Sequence, residues 1–292
     1  MSTERPVVLL TGASAGLELA LARRLLAENA FRLVLTARAE SLNRFAPAGI
    51  EASDNVWVRR LDVTNAAERR AVVAEICQRW GGVDILINNA AVAYRTVIEH
   101  IDDETWELVM TTNCSAPMEL ARLVLPAMRS RRRGRIINVS SVGGMMAMPT
   151  MSLYSASKFA LEGATESLWY EVRPWDIHVS LVQPGFIHSD SFKNTRYTAE
   201  SRRQMEDPHA PYHAHYFFMA DFIARQMQWA RATPERVADV VLDTIWRRRP
   251  RLRIAATWDA RLFALLRRFF PRRFYHAVLF RCLPHVDSWG KR

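Results

Sequence analysis

Between Val7 and Val182, short and nearly continuous apolar runs alternate with stretches whose apolar residues recur at helical spacing. Val7–Leu10 is the first run, bounded by Pro6 and by the turn residues Gly12 and Ser14. Leu17, Leu21, Leu25 and Leu26 then share one helical face. Phe31–Thr36, Val56–Leu61, Val83–Ile87, Arg135–Val139 and His178–Val182 predict further strands, and Leu252–Ala255 a last one. Ala66–Trp80, stopped by Gly81-Gly82, predicts a helix, as do Tyr154–Val172 and Pro234–Trp246. Glu104–Met128 predicts a long helical region interrupted or ended near Pro126. Strands that are apolar along their whole length need cover on both faces, which a parallel sheet between two helical layers provides. The expectation is a doubly wound α/β domain whose ligands bind beyond the carboxyl ends of the strands. Neither a repeat nor a low-complexity linker divides it. One domain over residues 1–256 is expected, with a substrate-covering insert at about 186–230 and a basic amphipathic extension over 257–292.

The net charge of +10 is concentrated at one end. From Arg247 onward there are thirteen Lys and Arg against two acids, Asp259 and Asp287, so the rest of the chain is close to neutral. A nucleic-acid-binding body is thereby disfavoured, and any charged partner belongs to the tail. MSTERPVVLL lacks the basic and apolar segments of a secretory leader, and no run of eighteen apolar residues predicts a membrane span. Cys77, Cys114 and Cys282 are scattered singly, without metal spacing or a disulfide framework, which suits a reducing cytoplasm.

The first strand runs into Thr11-Gly12-Ala13-Ser14-Ala15-Gly16-Leu17-Glu18. Small residues between a strand and a helix let backbone N–H groups approach a pyrophosphate, although a plain strand–turn–helix has the same look. Arg38 follows the second strand, roughly twenty residues beyond Gly16, where an acid would select the NAD ribose. An arginine there suits a 2′-phosphate and predicts NADP(H) over NAD(H), unless it is simply a solvated loop residue. Asp62-Val63, after the third strand, offers a carboxylate to an adenine amino group, and Asn88-Asn89-Ala90-Ala91 brings two amides to the ligand edge. Both also read as ordinary loop caps.

Tyr154-Ser155-Ala156-Ser157-Lys158 sets a phenol and an ammonium at i and i+4, on one helical face. The lysine charge is expected to lower the phenol from its reference value of about 10 and so enable proton exchange with an alcohol or carbonyl. Ser141, in Asn138-Val139-Ser140-Ser141 at the end of a strand, is placed to polarise the same oxygen.

Taken in order, TGASAGLE, NNAA, Asn113, NVSS, YSASK and PG resemble the short-chain dehydrogenases/reductases from about Pro6 to Ser189. SVGGMMAMPTMSLYSASKFALEGATESL is similar to the hydroxysteroid and retinol dehydrogenase branch. The resemblance implies a Rossmann-type fold and an oxidoreductase acting on CH–OH or carbonyl groups with NAD(P). It implies catalytic roles for Ser141, Tyr154 and Lys158, with Asn113 completing a proton relay through a water. Gly12, Ser14, Gly16, Leu17, Arg38, Asp62, Val63, Asn89 and Ala90 would meet the cofactor, as would Tyr154 and Lys158. Pro184, Gly185, Ile187 and Ser189 would hold its carboxamide, with Ser189 where threonine is usual. A homodimer or homotetramer paired through long helices is also implied. Two departures stand out: NNAA replaces NNAG, and Glu18 replaces the last glycine of the turn, adding bulk and negative charge beside an anionic cofactor.

The insert carries Phe192, Tyr197, Tyr212, Tyr216, Phe217, Phe218 and Phe222, which suit a large apolar ligand and serve equally as core. His209, His213 and His215 read as part of a polar lid rather than as a metal site. In Asp259–Phe270, Leu262, Phe263, Leu265, Leu266, Phe269 and Phe270 gather opposite Arg261, Arg267 and Arg268. After Pro271 the apolar face resumes at Phe274, Tyr275, Val278, Leu279 and Phe280. Two readings stay open: attachment to an anionic membrane surface, or packing on the body or on another subunit. The sequence therefore predicts an NADP(H)-dependent oxidoreductase for a lipophilic ketone, aldehyde or alcohol. Its alternative is a non-catalytic dinucleotide-binding or scaffold protein in which Glu18 impairs the cofactor.

Overall fold

The computed structural model describes residues 5–189 and 194–291, and Phe192 lies outside them. Seven strands form one sheet in the order β3-β2-β1-β4-β5-β6-β7. They are β1 Val7–Leu10, β2 Arg32–Ala37, β3 Val56–Arg60, β4 Ile85–Asn88, β5 Gly134–Val139, β6 Ile177–Gln183 and β7 Arg253–Ala255. All neighbours pair in parallel. This is the doubly wound Rossmann-type fold expected from the apolar runs.

The two-residue repeat of a strand divides its side chains between two cores. Val8 and Leu10 enter one apolar layer and Val7 and Leu9 the other, each of them at most 1% exposed. Full burial of one such side chain contributes about 1.5–3 kcal/mol, so sheet and helices hold each other in place. On the first face pack helices α1 (Gly16–Glu28) and, much later in the chain, α8 (Pro234–Trp246). On the second face lie α2 (Ala66–Trp80), α4 (Ala116–Ser130) and α5 (Ser152–Val172).

Helix α3 (Asp103–Met110) continues into α4 through a π-turn at Thr111–Ser115. Pro126 lies inside α4 and does not end it. The helix runs through that residue to Ser130, a correction to the boundary read from proline alone. The insert supplies two helices not foreseen from periodicity, α6 (Ala199–Glu206) and α7 (His213–Trp229). Tyr216 pins them down. Fully buried, its hydroxyl accepts from the Val97 amide at 3.0 Å and meets His100 Nδ1 at 2.9 Å and Ser201 Oγ at 3.0 Å. Tyr216 is thus core to the insert, while Phe217 is exposed and Phe218 stacks on His285. Among the described residues no three His, Cys, Asp or Glu side chains gather to hold a metal ion.

The extension forms α9 (Trp258–Phe269) and α10 (Arg272–Arg281). Phe263 and Leu279 pack against Val142, Met145 and Met146, just beyond Ser141. Arg267 donates to the Met145 carbonyl and lies over the Phe159 ring. The last turn of chain reaches α7, where Trp289 packs on His215.

Candidate active site

The sheet order reverses direction between β1 and β4, which opens a crevice at their carboxyl ends. Thr11 closes its floor: its hydroxyl accepts from the amides of Asn89 at 3.1 Å and Ala90 at 3.2 Å. Gly12 is required there twice over. Its φ is +71°, and a Cβ would lie 2.9 Å from the Ala90 Cα. Gly16 also has a positive φ, of 54°, at the start of α1. These two glycines, with Ser14 and Leu17 beside them, shape a backbone cradle that fits a pyrophosphate at a helix N-terminus. Ala91, at the glycine position of NNAG, is exposed.

At the adenosine end, Arg38 is exposed, and its Nε pairs with Glu40 at 3.1 Å. Asp62 uses one carboxylate oxygen to cap its own loop, accepting from the Thr64 amide at 2.9 Å and hydroxyl at 2.7 Å. The neighbouring Val63 is buried.

The β5 and α5 segments bring the predicted catalytic residues together. The Ser141 hydroxyl accepts from the Gly143 amide at 3.0 Å and sits against the Tyr154 phenol, favouring its ionised form. Burial acts more strongly and in the opposite sense, and Glu18 adds to it, so the Tyr154 pKa rises above its ordinary value. The expected downward pull from Lys158 is therefore not what governs the phenol here. Lys158 itself is 2% exposed, with Nζ donating to the Val139 carbonyl at 2.9 Å. Burial lowers its pKa to about 8, against the upward effects of Glu162, Glu18 and Cys114.

Asn113 sits in the π-turn and is fully buried. Its Oδ1 accepts from the Val92 amide at 2.8 Å, while Nδ2 donates to the Val92 carbonyl at 2.8 Å and to Ser157 Oγ at 3.0 Å. Ser157 in turn donates to the Tyr154 carbonyl at 2.7 Å. The asparagine side chain thus ties the loop after β4 to the helix that carries the phenol.

Glu162 was missed from sequence. It lies one turn beyond Lys158, at the same spacing that links Tyr154 to Lys158, so the signal was present. Buried to 4% exposure, it accepts from Ser140 Oγ and Gln183 Nε2, each at 2.7 Å, and pairs with Arg253.

Beyond β6, the Pro184 carbonyl accepts from the Val142 amide at 2.6 Å. The Gly185 amide donates to Thr257 Oγ at 2.8 Å and the Phe186 amide to Asp259 Oδ2 at 2.7 Å. The extension therefore occupies the Gly185 and Phe186 amides of the segment predicted to hold a carboxamide. Ser189 Oγ donates back to the Ile187 carbonyl at 3.5 Å.

The family pattern described as short chain dehydrogenase matches residues 6–200. The chain belongs to that family. It is an oxidoreductase acting on CH–OH and carbonyl groups with NAD(P). A similar curated relative is the 3-ketodihydrosphingosine reductase of Bacteroides thetaiotaomicron, 38% identical over 201 residues, covering 69% of this chain and 71% of the relative. Among solved structures, a short-chain dehydrogenase from Streptomyces avermitilis is 29% identical with a TM-score of 0.78, covering 97% of this chain and 98% of its own. A metagenomic short-chain oxidoreductase in complex with NADP is 26% identical with a TM-score of 0.65, covering 86% of this chain and 96% of its own.

Proposed function

We propose that the protein is an NADP(H)-linked oxidoreductase that interconverts a lipophilic ketone or aldehyde and the corresponding alcohol. The convergence of Ser141, Tyr154 and Lys158 at the carboxyl edge of the sheet carries this reading. A bound reduced nicotinamide supplies the hydride to the carbonyl carbon. Tyr154 gives its phenolic proton to the carbonyl oxygen, which the Ser141 hydroxyl holds in place. The raised phenol pKa keeps that proton available near neutral pH. Lys158 then faces the phenolate left behind and stabilises it by charge. Oxidation of an alcohol runs these transfers in reverse.

Arg38, exposed at the end of β2, supports NADP(H) as the preferred cofactor. The apolar cluster of Val142, Met145 and Met146, packed under Phe263 and Leu279 directly after Ser141, gives the site an apolar neighbourhood and supports a lipophilic substrate. The name of the Bacteroides relative, a reductase of a ketolipid, points the same way.

The reading includes a cytoplasmic protein held at anionic membranes by its extension. Eight of the fifteen large apolar side chains exposed among the described residues fall between Trp258 and Phe280, interspersed with Arg261, Arg268 and Arg273. No helix among those residues is long and apolar enough to cross a membrane, so the attachment proposed is peripheral. A homodimer or homotetramer completes the proposal, paired through a groove on α4 and α5 lined by Met118, Leu125, Pro126 and Leu168.

Replacing Tyr154 with Phe tests the chemistry. Turnover of a broad carbonyl panel with NADPH should vanish while NADPH binding, followed by its fluorescence, stays within about twofold. Retained turnover would remove Tyr154 from the mechanism.

A further inference from the structure

Glu18 stands in the first turn of α1, where its side chain folds inward over the glycine turn. Its Oε2 lies 3.2 Å from the position a Cβ on Gly16 would occupy. Its own backbone N–H, one of the free donors at the helix N-terminus, favours the ionised carboxylate. The Asn89 amide approaches it from the loop after β4, and its Nδ2 completes no hydrogen bond of full geometry within the protein. From α5, the Lys158 ammonium attracts it, and the Tyr154 phenol feels its charge. Behind Lys158 stand Glu162 and Cys114. The chain thus supplies its own anion to a helix N-terminus, an amide and a lysine that together suit an anionic ligand.

We propose that Glu18 is an internal stand-in for the dinucleotide, and that the cofactor enters as Glu18 takes up a proton. This rests on the nicotinamide-cofactor reading above. Two anions cannot share these donors without repulsion at short range in a poorly solvated crevice. Protonation removes the repulsion and leaves a neutral carboxyl that can stay in place. Burial already holds the Glu18 carboxyl at about 7, within reach of physiological pH. A nearby pyrophosphate raises it further, so binding above that pH draws in one proton.

The sign follows directly. Cofactor affinity is highest below pH 7 and weakens as the pH rises, by about tenfold per unit while one proton is taken up on binding. The test is direct binding of NADPH, by fluorescence and by calorimetry, to wild type, Glu18→Gln and Glu18→Gly between pH 7.5 and 9. The second ionisation of the cofactor's own phosphate, near pH 6, is complete throughout that range. Lys158 also titrates near this range and Glu18 holds its pKa up, so the comparison is repeated in a Lys158→Met background, where the difference made by Glu18→Gln isolates Glu18. The dissociation constant of wild type should rise by about tenfold per pH unit relative to Glu18→Gln. Calorimetry in two buffers of different ionisation enthalpy should then show about one proton taken up by wild type and none through this site in Glu18→Gln. Parallel pH profiles, or protons released on binding because Glu18 swings out ionised, overturn the proposal while leaving the cofactor reading intact. Failure of all three proteins to bind NADPH or NADH overturns both.

Discussion

Replacing Asn113 with Ala separates the structural task of this residue from any part in chemistry. The side chain makes three hydrogen bonds, two of them to the backbone of Val92 and one to Ser157. Truncation leaves the Val92 amide and carbonyl without partners in a partly buried loop, and each orphaned group costs about 1–3 kcal/mol. The π-turn also loses the contact that its wider geometry places opposite Val92. A loss of about 3 kcal/mol is expected, equivalent to a fall of roughly 6–12 °C in melting temperature for a chain of this size. Urea unfolding of the purified protein measures the loss, and hydrogen exchange locates it, with the Val92 amide accelerated well before the amides of β1. A loss below about 1 kcal/mol, with Val92 still protected, would show that the helix holds the π-turn unaided. The reasoning about Asn113 would then be wrong.

Three further outcomes follow from the site and its surroundings. Replacing Arg38 with Asp should reverse the preference between NADPH and NADH by at least about tenfold, since it exchanges attraction to a 2′-phosphate for repulsion; an unchanged ratio of kcat/KM values would remove Arg38 from cofactor selection. Carbonyl reduction should decline as the pH rises through about 8, where buried Lys158 loses its charge, and Glu162→Gln, which removes a neighbouring negative charge, should move that decline to lower pH. A profile that does not move would exclude Lys158 as its source. Replacing Phe269 and Phe274 together with Ser should abolish co-sedimentation with phosphatidylserine vesicles without lowering the melting temperature, because both side chains are more than half exposed; equal sedimentation would argue against the membrane face.

Much of the fold was legible because burial imposes a local rhythm on the sequence. The boundaries of Ala66–Trp80 and Pro234–Trp246 coincide with helices α2 and α8, each set by residues at its own ends. Asn65 caps the first by accepting from the amides of Ala67 and Glu68, and Gly81 ends it in a left-handed conformation. Helices α6 and α7 were not legible, because their register depends on Tyr216 reaching His100 across more than a hundred residues of chain. The proximity of Tyr154, Lys158 and Ser141 could be read from spacing and strand order. The direction of the Tyr154 shift could not, since desolvation is a property of the packed site and no sequence interval encodes it. Glu18 was visible as a carboxylate out of place. Its inward fold toward Asn89 and Lys158 needed the crevice to be assembled.

The hydrogen bonds from Gly185 and Phe186 to Thr257 and Asp259 also set an order of events during synthesis. Two amides just beyond the carboxyl end of β6 gain these partners only after some seventy further residues have been made. Asp259 occupies the space that a side chain at position 185 would fill, so glycine there keeps a berth for a segment that arrives late. The segment around Thr257 and Asp259 is thus built into the loop that follows β6. A nascent protein stalled before Thr257 would carry the phenol and the lysine but not a finished site.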